Sequence, residues 1–362
     1  MEKNGLKKIA IIGAGIYGLM IAKKLLTLNC KIDIFDKSSH IMKGASSVNH
    51  RRIHEGFHYP RSQTTVDQIK ETLQEFKDEI GEECIEDIPS FYGIEKRSKT
   101  SRKTFIKFMN DNNLQYSEIK NTTYMAIDDT NLETVFKVNE STLNLSNLYT
   151  SLYRILDDDK LFLHLNNEIY LDDITGKYDY IIISTYTENN KVLRKYPEFH
   201  KTYIFELCEK PVFRNKSFTI SNMTIVDGPF TSIGQMPGNI GVRDIVLGNV
   251  KYGILDCMVG EFPIFNDKYT KLLGNDDLHR FSDSNIDLFM NDIDKYFYGF
   301  RENTEYLGSM LTIKAKPLFS EDTDSRETTV RNPVKGLYIV DSGKLSTSMN
   351  AANEIFRSLN DD

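Results

Sequence analysis

Residues 8–36, KIAIIGAGIYGLMIAKKLLTLNCKIDIFD, constrain the fold of this chain more than any other stretch. A β-branched apolar run, Ile9 to Ile12, meets Gly13, Gly15 and Gly18. A helical stretch from Leu19 to Leu28 follows, and a second apolar run ends in Asp36. Strand, G-x-G-x-x-G turn, helix and strand in this order make a dinucleotide-binding unit. Gly13 permits the tight turn, Gly15 lets the backbone approach a pyrophosphate, and Gly18 lets the helix pack closely on the strand. Ala14, Ile16 and Tyr17 complete the turn at the helix start, where unsatisfied N–H groups and the helix dipole favour phosphate. Asp36 lies eighteen residues after Gly18. At the end of the second strand its carboxylate, with Lys37 beside it, suits ribose hydroxyls and repels a 2′-phosphate. These residues alone leave NAD and FAD both open.

The rest of the chain bounds the class. With 362 residues it supports a sizeable core and two domains. No apolar run approaches the roughly 20 residues that span a bilayer. The opening MEKNGLKK leads directly into the first strand, so a cytoplasmic protein without a signal peptide is expected. A net charge of −7 with no long basic tract argues against nucleic acid as a partner. Cys30, Cys84, Cys208 and Cys257 lack C-x-x-C spacing and read as reduced thiols. His50, His54 and His58 stand close together without a carboxylate or cysteine at ligand spacing, so no metal is expected.

Periodicity gives the layout. Residues 64–81 have apolar positions at helical spacing. Residues 91–119 read as strand, helix and a further strand start, 122–138 alternate like β structure, and 141–156 read as a capped helix. KYDYIIISTYTEN (177–189) is a buried strand opening into a polar turn. From about 200 to 316 short alternating runs imply an antiparallel sheet, followed by a helix at 284–298. GLYIVDSGKLSTSMNAANEIFRSL (336–359) reads as turn, strand, turn and helix. The expected architecture is α/β, with a discontinuous Rossmann-type domain and an inserted antiparallel β-rich substrate domain. The first takes residues 1–80, 140–200 and 318–362; the second takes 81–139 and 201–317. An interleaved layout of this kind is commoner in flavoproteins than in NAD dehydrogenases.

GASSVNHRRIHEGFHYPRS, directly after Asp36, resembles the corresponding segment of the D-amino-acid-oxidase-like FAD-dependent oxidoreductases, through Ser46, Ser47, Asn49, Ile53, His54, Gly56 and Tyr59. The closing GLYIVDSGK with its helix is similar to that family's last strand–helix element. The resemblance covers about the first 62 and last 35 residues and is loose in the middle. It implies FAD, with Ser46, Ser47 and Asn49 along the cofactor and His54 and Tyr59 near the flavin ring. Gly343, Lys344, Leu345 and Ser346 would face the ring from the last helix. Arg326 matches the family's substrate-carboxylate arginine, although Glu327 replaces its proline and Arg331 competes for the role. Tyr252, with Lys251 on an expected NVKYG strand, is a further candidate pointing into the site.

The function so implied is hydride transfer to flavin N5 from a carbon bearing an amine or hydroxyl, on a small or sugar-linked substrate. A sugar-nucleotide mutase similar to UDP-galactopyranose mutase, or a non-catalytic FAD-fold scaffold, are the alternatives. A small-molecule substrate is expected, with neither nucleic acid nor membrane as partner; the sequence leaves the oligomeric state open.

Overall fold

A computed structural model describes residues 6–122, 126–217, 219, 221–237, 244–274, 277–318 and 325–361. Residues 123–125 of the expected β segment, 218, 220, 238–243 and 275–276 of the expected antiparallel stretch, and 319–324 of the expected cofactor segment lie outside them. The described strands form three sheets.

The first sheet has six strands, ordered Thr329–Val334, Leu337–Asp341, Tyr180–Ile183, Lys7–Ile12, Cys30–Phe35 and Leu161–His164. All neighbours are parallel except the edge strand Thr329–Val334. Ile9 sits between Ile32 on one side and Tyr180 on the other. A continuous apolar run is what a strand covered on both faces requires. One face is covered by the helices Ile16–Leu25, Gln63–Ile80, Leu145–Ile155 and Ser348–Asp361, through a core that includes Leu19, Phe76, Leu148 and Ile355. The other face packs against Leu171, Ile174, Val192 and Leu193. Each such fully buried side chain contributes roughly 1.5–3 kcal/mol relative to exposure.

The second sheet has nine strands drawn from residues 90–138 and 203–317. Its longest pair, Tyr203–Asn215 with Thr304–Pro317, is antiparallel over its whole length. The expectation of an antiparallel insert needs one correction. Ser90–Glu95 runs parallel to Asn222–Val226, with Ser90 opposite Asn222 and Ile94 opposite Val226. The two strands come from different stretches of the interrupted chain, so no hairpin fixes their direction.

The third sheet is small and has large consequences. Arg52–Ile53 pairs with Ser141–Leu143, which also pairs with Ile85–Glu86. Arg52 lies opposite Thr142 and Ile53 opposite Ser141. The next residue on one strand, His54, is thereby brought beside the preceding residue on the other, Glu140.

Candidate active site

The dinucleotide turn forms as its residues require. Gly13 has φ +108°, and a Cβ there would stand 2.7 Å from the Ser184 carbonyl oxygen. At Gly18 an added Cβ would stand 1.9 Å from the Gly13 oxygen. Both positions therefore exclude side chains. Helix Ile16–Leu25 starts without a side-chain cap from Gly15, and the Ile16 N–H instead donates to Ser46 Oγ at 3.1 Å. Asp36 accepts from the Ala14 and Ser38 N–H groups, each at 2.8 Å.

This turn opens on a cavity of about 1430 Å³. Gly13, Gly15, Ile16, Tyr17, Asp36, Lys37, Ser46 and Asn49 line it from the N-terminal side. Gly343, Lys344, Leu345 and Ser346 line it from the C-terminal side. His54, Tyr59 and Arg326 reach the same space. Its volume exceeds the 300–1,000 Å³ usual for a single small-ligand pocket, which leaves room for a dinucleotide and a substrate together.

Several expected residues take other places. Tyr252 is absent from the cavity lining: the strand ends at Asn249, and a turn follows in which the Tyr252 N–H donates to Asn249 Oδ1. Its ring packs on the core cluster of Phe213 and Phe289, away from the cavity. Ser47 is fully buried, and its hydroxyl donates to the Gly44 carbonyl at 3.1 Å, so it shapes the turn that presents Ser46. Ala14 and Gly18 lie behind the lining, in the turn and the helix packing. Arg331, the competitor of Arg326, is committed to Asp341 at 3.1 Å and to the Phe199 carbonyl at 2.7 Å.

Tyr17 lines the cavity and ties the two chain ends together. Its hydroxyl lies 2.7 Å from Thr328 Oγ1 and 2.9 Å from Thr347 Oγ1, and accepts from the Gly343 N–H at 2.8 Å. Burial pushes its phenol up to about 12.

The residues that sequence reasoning missed cluster around His54. His54 Nδ1 lies 3.2 Å from Glu140 Oε1. Glu140 is buried, and also meets the Tyr92 hydroxyl at 3.1 Å and Arg52 Nη1 at 3.5 Å. Burial alone would raise the Glu140 carboxyl, but the hydrogen bond from His54, the Arg52 guanidinium and the Tyr92 hydroxyl hold it below its usual range. For His54, burial dominates and holds the imidazole below its ordinary value, against the pull of Glu140. The result is a neutral imidazole against a carboxylate. A carboxylate only accepts, so Nδ1 carries the proton and Nε2 is left as a base. Arg52 and His54 stand two apart in an extended segment and so share a side, a signal present in HRRIH. Glu140 gave no local signal.

The residues present fit FAD. Tyr59 Oη, His58 Nδ1 and Ser346 Oγ are buried, lack hydrogen-bond partners among the described residues, and belong to residues that line this cavity. Buried polar atoms are ordinarily paired, so three such atoms around one space mark where a polar ligand belongs. Lys344 Nζ stands 5.0 Å over the Tyr59 ring, and burial lowers its ammonium to about 8.

Fold and cavity together place a dinucleotide turn at the head of a large site. Residues 8–93 match the family model described as DAO, FAD dependent oxidoreductase. Among solved structures, the chain is similar to glycine oxidase from Geobacillus kaustophilus, with a TM-score of 0.71 and 12% identity, over 96% of this chain and 94% of that one. It is also similar to FAD-bound L-α-glycerophosphate oxidase from Mycoplasma pneumoniae, with a TM-score of 0.72 and 13% identity, over 98% and 95%. A sequence relative, FAD-dependent monooxygenase FPY4 of Fusarium mangiferae, is 24% identical over 98% of this chain and 91% of the relative. The chain has the DAO-type fold and carries that family's dinucleotide segment at its N-terminus. Its N-terminal segment is that of the FAD-dependent oxidoreductase family model. No helix among the described residues is long and apolar enough to cross a membrane.

Proposed function

We propose that this cavity oxidises the C–N bond of an amine or amino acid, or the C–OH bond of a hydroxy compound, on a small or sugar-linked substrate. The observation that carries this reading is a neutral His54, held by Glu140, in the same cavity as the dinucleotide turn. FAD, when bound, supplies the hydride acceptor at flavin N5.

The chain's own residues do the rest. Gly13, Gly15, Ile16, Tyr17 and Ser46 would form the pyrophosphate side, with Ala14 behind them in the turn, and Asp36 with Lys37 the ribose side. Asn49, Gly343, Lys344, Leu345 and Ser346 would flank the ring. His54 Nε2 takes the proton from the donor O–H or N–H while the adjacent carbon loses hydride. The substrate thus loses one hydride and one proton and leaves as carbonyl or imine. The Arg326 guanidinium, planar and permanently charged, suits a substrate carboxylate. Tyr59 Oη offers an unpartnered hydroxyl in the same space. In this reading residues 1–80, 140–200 and 318–362 hold the cofactor, and 81–139 with 201–317 cover the substrate. The buried free thiols of Cys30, Cys84 and Cys208 fit a reducing, cytoplasmic setting.

The test is a panel of amines, amino acids and hydroxy acids added anaerobically to the yellow holoenzyme. At least one class should bleach the visible flavin bands, and bleaching by none would overturn the reading. The monooxygenase name of the sequence relative supports a second reading, oxygenation. Labelled O₂ separates the two: an oxygenase places the label in the organic product, whereas an oxidase returns it as peroxide.

A further inference from the structure

The floor of the cavity carries charge that neither the proposed cofactor site nor the His54 pair uses. Strand Tyr203–Asn215 presents Glu206 and Lys210 to it, and the antiparallel neighbour Thr304–Pro317 presents Lys314 and Lys316. Glu206 lies opposite Lys314 in the register, and its carboxylate is taken by Lys316. Among the described residues no carboxylate lies within salt-bridge distance of Lys210 or Lys314. Lys210 is buried. Its ammonium nitrogen lies 3.3 Å from His50 Nε2.

The fold makes room for this contact. A Cβ at Gly248 would stand 2.1 Å from His50 Nε2, and one at Gly234 would stand 2.8 Å from the His50 carbonyl oxygen. Two glycines on adjacent strands therefore seat the His50 side chain against Lys210. Burial lowers His50 well below its ordinary value, with Lys210, Arg52 and Lys314 adding to the effect. A neutral imidazole gives Lys210 a hydrogen-bond partner and no countercharge.

We infer that Lys210 and Lys314 form an oxyanion subsite that holds a carboxylate or phosphate-type group of the substrate, and that Lys210 takes up a proton from solvent as the anion binds. This rests on the reading of the cavity as the site of substrate oxidation. The groups facing Lys210 are His50, Lys314 and, on its own strand, Glu206 and Cys208, with Arg52 beyond His50. Burial and then Lys314 bring its ammonium down to about 7, so near neutrality the free site is poised between amine and ammonium. An oxyanion adds the missing negative charge and favours the ammonium. The subsite is distinct from Arg326, which lies in the segment before strand Thr329–Val334.

The test is calorimetric titration of the FAD-loaded protein with acetate and, separately, with sulfate, at about pH 6 and about pH 8; neither probe changes its charge in that range. At least one anion should bind about tenfold tighter at the lower pH and draw close to one proton per anion from buffer at the higher. Tighter acetate binding assigns a carboxylate group, and tighter sulfate binding a tetrahedral one. Lys210→Met should weaken binding and abolish the pH dependence, and Lys314→Met should weaken binding, each with the flavin spectrum retained. Equal affinity at both pH values without proton uptake overturns the inference. So does no binding of either anion, or an unaltered pH dependence in a flavin-bearing Lys210→Met. A protein that takes up no FAD counts against the functional reading alone, because the same titration on the colourless protein still decides the subsite.

Discussion

His54 Nδ1 and Glu140 Oε1 lie 3.2 Å apart although 86 positions separate them in the chain. The contact is made by the pairing of two very short strands, Arg52–Ile53 and Ser141–Leu143. It orients the imidazole and buries a carboxylate whose formal countercharge is Arg52. Glu140→Ala should therefore destabilise the protein by roughly 3–5 kcal/mol, because a buried guanidinium is left unpaired. Glu140→Gln keeps most of the hydrogen bonds but also offers donors to His54. It should fold better than the alanine variant yet lower the rate of flavin reduction about a hundredfold. Urea unfolding and anaerobic stopped-flow reduction measure the two effects separately.

Acid should destabilise the fold before its carboxylates titrate. Burial lowers His50 and His58 well below the ordinary histidine value, and His54 in the same direction. Below about pH 6.5 the unfolded chain binds protons that the folded chain refuses, so stability falls as pH falls. Each depressed histidine contributes up to about 1.4 kcal/mol per pH unit between its unfolded and folded values. A series of urea midpoints from about pH 7.5 to about pH 5 should slope downward on acidification. His58→Asn should flatten that slope; a flat wild-type series would count against a neutral histidine cluster.

Gly18→Ala should be far more damaging than Gly15→Ala. An added Cβ at Gly18 would stand 1.9 Å from the Gly13 oxygen, a backbone atom, whereas at Gly15 the nearest atom is Ser46 Oγ at 3.3 Å. The helix and strand must separate to admit the first, at a cost of roughly 2–3 kcal/mol or more. Thermal unfolding should register that loss. Gly15→Ala should retain most of the stability while lowering FAD retention, read from the visible flavin band after gel filtration.

Tyr17→Phe should loosen the junction between the two chain ends. The phenol oxygen accepts from the Gly343 N–H and lies within hydrogen-bond distance of Thr328 and Thr347, in a buried setting. Its removal leaves polar groups short of a partner, a loss of roughly 1–3 kcal/mol. Because Gly343 and Lys344 line the cavity, FAD affinity should drop together with the melting temperature.

Local readings held where the structure itself is local. The strand, glycine turn, helix and strand of residues 7–35 form as contiguous elements. The last strand, Leu337–Asp341, falls within the expected 336–359, and the last helix, Ser348–Asp361, runs two residues past it. Errors arose where a boundary or a burial decided the outcome. Tyr252 was expected on a strand that stops three residues earlier, at Asn249. Ser47 and Ser46 are chemically alike, yet one turn sends Ser47 into the interior and Ser46 to the cavity.

The sequence by itself determined the strand, glycine turn, helix and strand from Lys7 to Phe35, because every part of that dinucleotide-type unit lies within one short segment. Its likeness at residues 44–62 and 336–359 to a flavoprotein family narrowed the dinucleotide to FAD. Only the tertiary structure decided what surrounds the reacting end. Glu140 reaches His54 through a two-residue strand, and Lys210 reaches His50 through a slot between two glycines on neighbouring strands. Contacts of this kind have no sequence period, because strand pairing across insertions sets them and not the spacing of residues along the chain.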